Sequence, residues 1–340
     1  MIDMSIGAPA DPPPQVILDA MVGSDSERGY PPSIGSPAFR TAAASWFDRR
    51  VGVTIDPAHI GATIGLKEFV AGVPHWLRHR DPSKDTVLYP AVSYPSYAMG
   101  AELAHCRAVP VAVDSDWRMD VSSIDPADAA RAVCLWVNSP GNPAGALEDL
   151  AAAAEWGRAH GVPVISDECY IEFIWDGPPK TILQSGQDGV LAIHSLSKRS
   201  NFAGARAGFY AGDPELVLWL QELRKHLGFM VPGPIQAAAA AALNDDDHVE
   251  VQRERYRHRL ETMSAILGEM GIRAPMPGGG FYLWAEAPDG DAWALADRLA
   301  NELGVICSPG EFYGEAGSGH ARFALVVNEE QLETVRSRLS

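Results

Sequence analysis

The stretch HSLSKRSNFAGARAGF (194–209) follows the apolar run VLAI (190–193). It sets Lys198 just past a candidate strand, with Ser195 and Ser197 before it and Arg206 eight residues on in a Gly/Ala-rich turn. The C-terminal edge of a strand is where α/β sheets bind their ligands. Hydroxyls and a guanidinium fork suit a phosphate dianion. A second cation nearby favours the free amine of a lysine, the form a Schiff-base nucleophile needs. The pattern S-x-x-K alone leaves open an ordinary loop lysine or an acylating serine.

Working outward, short apolar runs alternate with helical patterns. The runs HIGATIG (59–65), TVLY (86–89), AVPVAV (108–113), AVCLWVN (132–138), VPVISD (162–167), VLAIHS (190–195) and ARAGFYAG (205–212) read as strands. Strands apolar on both faces and separated by helices predict an α/β fold with a mostly parallel seven-stranded sheet covered on both sides. Beyond a long helical region (232–269), GIRAP, GGGFYLWAEA, GVICSPG and HARFALVV read as shorter strands around the helix DAWALADRLANEL. The spacing predicts a large domain over 46–245. A smaller α+β domain is expected from 1–45 and 246–340.

The 340 residues carry 27 basic and 44 acidic side chains, a net charge of −17. Such a surface repels nucleic acid and anionic membrane, and no run reaches the ~18 apolar residues of a membrane span. Cys106, Cys134, Cys169 and Cys307 are far apart, with no C-x-x-C pair and no export signal at the start. They read as free thiols of a cytoplasmic protein. Asp167, Glu168, Cys169 and His194 match no familiar metal-ligand spacing, so no metal is expected.

Other polar residues fall where strands end. Asn142, in the turn NSPGNPAG (138–145), can donate its amide to a ring oxygen, or simply make an Asn-Pro turn. Asp167 offers a fixed anion to a protonated ring nitrogen, or caps the next turn. Tyr170 lies three residues on.

The order Asn142, Asp167, Lys198, Arg206 resembles the fold-type I, pyridoxal-phosphate-dependent aminotransferases of class I/II. Motifs similar to theirs run through the chain: YPPSIGSPAFR (30–40), TIGLKE (63–68), YPAVSYPSY (89–97), NPAG (142–145), DECY (167–170), SLSK with RAG (195–208), PGGGFYLW (277–284) and HARF (320–323). The resemblance implies that Lys198 carries pyridoxal 5'-phosphate (PLP) and moves protons. It implies that Asp167 holds the ring nitrogen, that Asn142 and Tyr170 serve the phenolic oxygen, and that Tyr94 stacks on the ring. Ser195, Ser197, Arg206 and the backbone of Gly65, Leu66 and Lys67 resemble the phosphate cup. Tyr30 is similar to a tyrosine reaching the phosphate of the neighbouring subunit, which implies a homodimer with shared sites. Arg322, with Gly7 and Asn142, resembles the site for the substrate α-carboxylate. Two positions depart from the pattern: Ala144 where threonine is common, and Leu66 where a small hydroxyl residue is common.

A narrower resemblance, through VISDECYIEFIWD, AIHSLSKRSNFAGARAGFYAGDPELV, the helical region that follows and PGEFYGEAG, is to actinobacterial N-succinyldiaminopimelate aminotransferases of lysine biosynthesis. It implies amino transfer between glutamate and N-succinyl-2-amino-6-oxopimelate. Lys67, Arg199, Arg224 and Lys225 are the candidate readers of a distal carboxylate. The alternative is a natural-product enzyme on the same scaffold that acts on another amino acid by transamination, elimination, cyclisation or oxidation.

Overall fold

The computed structural model describes residues 1–26 and 28–339. Its strands are β1 (Ile2–Asp3), β2 (Ile60–Ile64), β3 (Thr86–Pro90), β4 (Arg107–Val111), β5 (Ala132–Asn138), β6 (Val164–Asp167), β7 (Val190–Ser195), β8 (Ala207–Gly212), β9 (Tyr282–Glu286), β10 (Val305–Ile306), β11 (Ser308–Pro309) and β12 (His320–Ala324). β2 to β8 form a seven-stranded sheet in the order β2-β8-β7-β6-β5-β3-β4, from the seven runs expected. β3 to β7 pair in parallel, and β8 is antiparallel to both its neighbours.

Burial on both faces explains that sheet. β5 is buried along its whole length. Leu135 and Val137 pack on one side with Phe39, Trp46 and Phe209, and Trp136 on the other with Phe69, Tyr97 and Tyr210. Parallel strands sandwiched by helices demand such two-sided apolar runs.

The helices are α1 (Gln15–Val22), α2 (Pro37–Trp46), α3 (Lys67–Arg80), α4 (Ser96–Leu103), α5 (Pro126–Arg131), α6 (Leu150–His160), α7 (Leu196–Arg199), α8 (Pro214–His226), α9 (Gly233–Asn244), α10 (Asp247–Glu269), α11 (Ala292–Glu302) and α12 (Glu329–Ser337). Their starts follow local chemistry. Ser36 and Asp213 each cap an orphan N–H of the helix that follows, with proline at its first position. No helix among the described residues is long and apolar enough to cross a membrane.

A smaller unit holds the antiparallel sheet β11-β12-β9, the β1-β10 pair and a core of its own. GIRAP, expected as a strand, is irregular. Arg273 accepts one backbone bond from Glu286, and Pro275 and Pro277 remove the next donors. The expected boundary at 45/46 also needs correction. Met4 lies in the smaller core, but α1 and α2 pack on α9, with Ile17, Phe39, Ala42 and Trp46 inside the large core. Their apolar faces are covered by the large domain.

Strand direction gathers chemistry at one edge. Asn138, at the end of β5, is in register with Asp167 at the end of β6, and Ser195 ends β7 beside them. β8 runs the other way, so its start lies on that edge: Gly208 pairs with Ser195 and Ala207 with Ile64. Arg206 and Gly65 are thereby brought together.

Behind this edge, buried Glu172 ties the elements to one another. Its Oε1 accepts from Trp46 Nε1 (2.7 Å) and Arg199 Nε (2.9 Å), and its Oε2 from Arg50 Nη2 (2.8 Å). Removing one partner of a buried pair strands the other charge. Glu172→Ala is therefore expected to lose about 3 kcal/mol of stability, seen as a lower denaturation midpoint. An unchanged midpoint would contradict this role.

Candidate active site

A cavity of about 650 Å³ opens at the gathered strand ends. Among the sequence-predicted residues, Gly7, Leu66, Lys67, Tyr94, Asn142, Asp167, Tyr170, Ser195, Ser197, Lys198, Arg206 and Arg322 line it. Lys67, Lys198, Arg206 and Arg322 stand against one carboxylate, Asp167, so the cavity is basic in an acidic chain.

Lys198 sits on the short α7 directly after β7, whose start is capped by Ser195 Oγ accepting from the Ser197 N–H at 3.1 Å. Its Nζ donates to the Gly7 carbonyl. Burial pushes the ammonium pKa down to about 8, against the pull of Cys169 and Asp167 and with help from Arg322 and Arg206.

Asp167 is buried at the floor. Burial raises its carboxyl pKa, and donors from Cys169 and Tyr97 oppose that rise. The Tyr97 hydroxyl donates to Oδ2 at 2.9 Å. The Cys169 backbone N–H (3.2 Å) and thiol (2.7 Å) donate to Oδ1. The Asn138 side chain reinforces the strand end by donating to the Asp167 carbonyl at 2.8 Å, and its Oδ1 accepts from the Asn142 N–H at 2.8 Å.

Arg322 comes from β12 of the smaller unit, in register with Trp284 and Ser308. Its guanidinium lies 4.3 Å from the Tyr282 ring centre and 4.7 Å from that of Tyr313. Such faces attract a cation and hold its plane. Nη1 donates to Asn142 Oδ1 at 2.7 Å, and Nη2 donates to the Ser5 carbonyl. Among the described residues, its buried Nε finds no hydrogen-bond partner. The Tyr170 and Tyr282 hydroxyls share a hydrogen bond of 2.9 Å.

Arg206 takes a left-handed backbone (φ 60°) and donates to the Ala203 carbonyl at 2.8 Å. Gly65 does not line the cavity but makes room for it: a Cβ there would lie 2.0 Å from the Arg206 guanidinium. Among the described residues no side chain caps α3, so its first-turn amides remain for an anion. The Leu66 side chain packs into the core. Lys67 lies 5.8 Å over the Tyr94 ring.

Other expectations part from the structure. Tyr30 is 94% exposed and outside the cavity, so this chain's own site does not include it. Arg199 is committed to Glu172 and Asp246, Arg224 to Glu68 at 2.7 Å, and Lys225 to Glu222 at 3.1 Å. Of the four candidate carboxylate readers, Lys67 alone lines the cavity. Sequence reasoning missed Tyr97, Tyr282, Tyr313 and Ser5. A signal for Tyr97 existed: it follows Tyr94 by three residues at the start of α4, one turn on.

Similarity to known proteins places the chain in a family. The family model described as aminotransferase class I and II matches residues 1–339. The 4-dedimethylamino-4-oxo-anhydrotetracycline transaminase OxyQ of Streptomyces rimosus is 40% identical, over 100% of this chain and 93% of its own length. The LL-diaminopimelate aminotransferase of Desulforudis audaxviator is 36% identical, over 100% of this chain and 89% of that protein. The solved structure of a probable N-succinyldiaminopimelate aminotransferase from Thermus thermophilus superposes with a TM-score of 0.88 at 30% identity, covering 100% of this chain and 94% of that one. The chain belongs to the class I and II aminotransferases and is a PLP-dependent transaminase of fold type I.

Proposed function

We propose that the chain exchanges an amino group between L-glutamate and a carbonyl acceptor, with Arg322 holding the α-carboxylate. The observation that carries this reading is Arg322 itself. It is a buried guanidinium between two tyrosine rings, braced by Asn142, and it lines the same cavity as a lysine whose amine is half neutral near pH 8.

The residues fit the cofactor. Asp167 is a buried carboxylate suited to pair with a ring nitrogen, and the Arg206 contact that a Cβ on Gly65 would break suits a phosphate beside the α3 amides. PLP, when bound, supplies the electron sink that makes a substrate Cα–H acidic. Lys198 carries it and then moves the proton at Cα. Asn142 serves the phenolic oxygen with its NH₂, since its Oδ1 already accepts from Arg322; Tyr170 is the second donor. Tyr94 covers the ring face, and Ser195, Ser197 and Arg206 hold the phosphate. The exposed Tyr30 completes the phosphate site of a second copy, making the active unit a homodimer. The Gly7 carbonyl holds the free Lys198 amine, and the Ser5 carbonyl holds Arg322 until a substrate carboxylate takes its place.

For the acceptor, N-succinyl-2-amino-6-oxopimelate is supported by the diaminopimelate-type relatives, with Lys67 as the cation left for its distal carboxylate. A second reading is a neutral natural-product carbonyl. It is favoured by the commitment of Arg199, Arg224 and Lys225 elsewhere, by Ile6 and Phe312 lining the cavity while remaining exposed, and by the relative whose name carries an oxo-anhydrotetracycline.

Lys198→Ala is expected to abolish turnover, and wild-type rates in that variant would refute its role. The amine of Lys198 is free above about pH 8 and protonated below it. PLP uptake by cofactor-free protein should therefore rise with pH around a midpoint near 8; a midpoint near the ordinary lysine value of about 10.4 would contradict the burial argument. The acceptor is tested by comparing kcat/KM for the succinylated keto acid and for a neutral cyclic ketone. If the acidic acceptor is correct, it is preferred, and Lys67→Ala narrows the preference by about tenfold, the loss of one charge-assisted contact. Preference for the neutral ketone would select the second reading.

A further inference from the structure

We propose that Tyr97 and Cys169 are positioning residues for the transaminase reaction: they fill three acceptor positions of the Asp167 carboxylate and leave one for a ring N–H.

The geometry is closed from the protein side. A carboxylate has two oxygens and about four lone-pair positions. Oδ2 takes the Tyr97 hydroxyl, and Oδ1 takes both the thiol and the backbone N–H of Cys169. A backbone N–H only donates, so Oδ1 is fixed as an acceptor. Burial holds the Tyr97 phenol and the Cys169 thiol in their protonated forms, well above their ordinary values, so both have a proton to give. Tyr97 is itself fixed: it is fully buried and stacks on Trp136 with ring centres 5.0 Å apart and planes at 19°. Its hydroxyl oxygen cannot move off Oδ2 without breaking that stack.

The consequence concerns one proton. Donors to a carboxylate favour its charged form, and burial disfavours it. With all three donors present, Asp167 stays anionic and the proton remains on the ring nitrogen that it faces. With a donor removed, the carboxylate gains proton affinity. The proton then passes from nitrogen to oxygen, both charges are cancelled, and the ring pulls electrons less strongly. Neither Tyr97 nor Cys169 needs to touch the reacting atoms for this. The inference rests on Asp167 as the ring nitrogen's partner, which Asp167→Asn tests separately.

The experiment uses the holoenzyme and its Tyr97→Phe, Cys169→Ala and Cys169→Ser variants. Tyr97→Phe keeps the stacked ring and removes only the donor. Cys169→Ser keeps a donor, and Cys169→Ala does not. The first readout needs no substrate: the pH midpoint of the bound cofactor's visible absorbance. It is expected to rise by about one unit in Tyr97→Phe and in Cys169→Ala, and by less than half that in Cys169→Ser, in line with the loss of a hydrogen bond to a charged group. Turnover with glutamate should fall about tenfold in Tyr97→Phe with KM within about threefold. Introduced into Asp167→Asn, Tyr97→Phe should cost less than about twofold more, since a residue acting through another loses its effect when that other is gone. An unchanged midpoint in Tyr97→Phe, or a tenfold loss that persists in the Asp167→Asn background, would overturn the proposal. A fully active Asp167→Asn would remove the assignment of Asp167 and the positioning role together.

Discussion

A carboxylate buried at the end of a central strand is the constraint on which the site depends. Taking such a charge out of water costs several kcal/mol unless donors and opposite charges surround it. Asp167 obtains its donors from two directions, the start of α4 and the chain just past β6. Both are available only because β6 lies inside the sheet, with β5 and β7 as parallel neighbours whose ends reach the same edge. The single reversed strand β8 then returns Arg206 to that edge instead of the far one. One topology thus satisfies the acid and supplies cations around it.

Arg322 answers the same problem from the opposite wall. It belongs to the smaller unit, yet its hydrogen bonds go to Asn142 of the large domain and to Ser5 of the N-terminal segment. Three distant parts of the chain meet at one guanidinium. Two tyrosine faces hold its plane and exclude water from it, which strengthens its attraction for a carboxylate. The chain's charge is −17, yet four basic side chains face one acid in this cavity. The acidic surface shapes what the protein avoids, and the local cluster shapes what it binds.

Much of this was legible in the sequence because local chemistry and global placement agree. Strand ends could be read from apolar runs, and Asp167, Ser195 and Asn142 lie at or just beyond such ends, which is why their convergence could be foreseen. Residues contributed through tertiary packing were harder to read. Tyr97 looks like any apolar-face tyrosine of a short helix until its partner 70 residues away is known. Arg199 and Arg224 looked like candidate ligands because a sequence does not reveal which carboxylate will claim a cation; Glu172 and Glu68 claim them. The boundary at 45/46 misplaced α1 and α2 because their apolar stripes fit either domain, and only the presence of α9 decides between them. GIRAP misled because its own Pro275 and the nearby Pro277 lack the N–H donors a strand needs.

The central claim is that a buried, partly neutral lysine and a tyrosine-clamped arginine operate together on an α-amino acid. The most direct measurement is the absorbance of the PLP-loaded protein before and after L-glutamate is added alone. Conversion of the cofactor band to the pyridoxamine form, with one equivalent of 2-oxoglutarate released, is the predicted result, since Arg322 would hold the donor's α-carboxylate while Lys198 moves the proton. A band that forms but does not respond to glutamate would contradict the donor and the role given to Arg322.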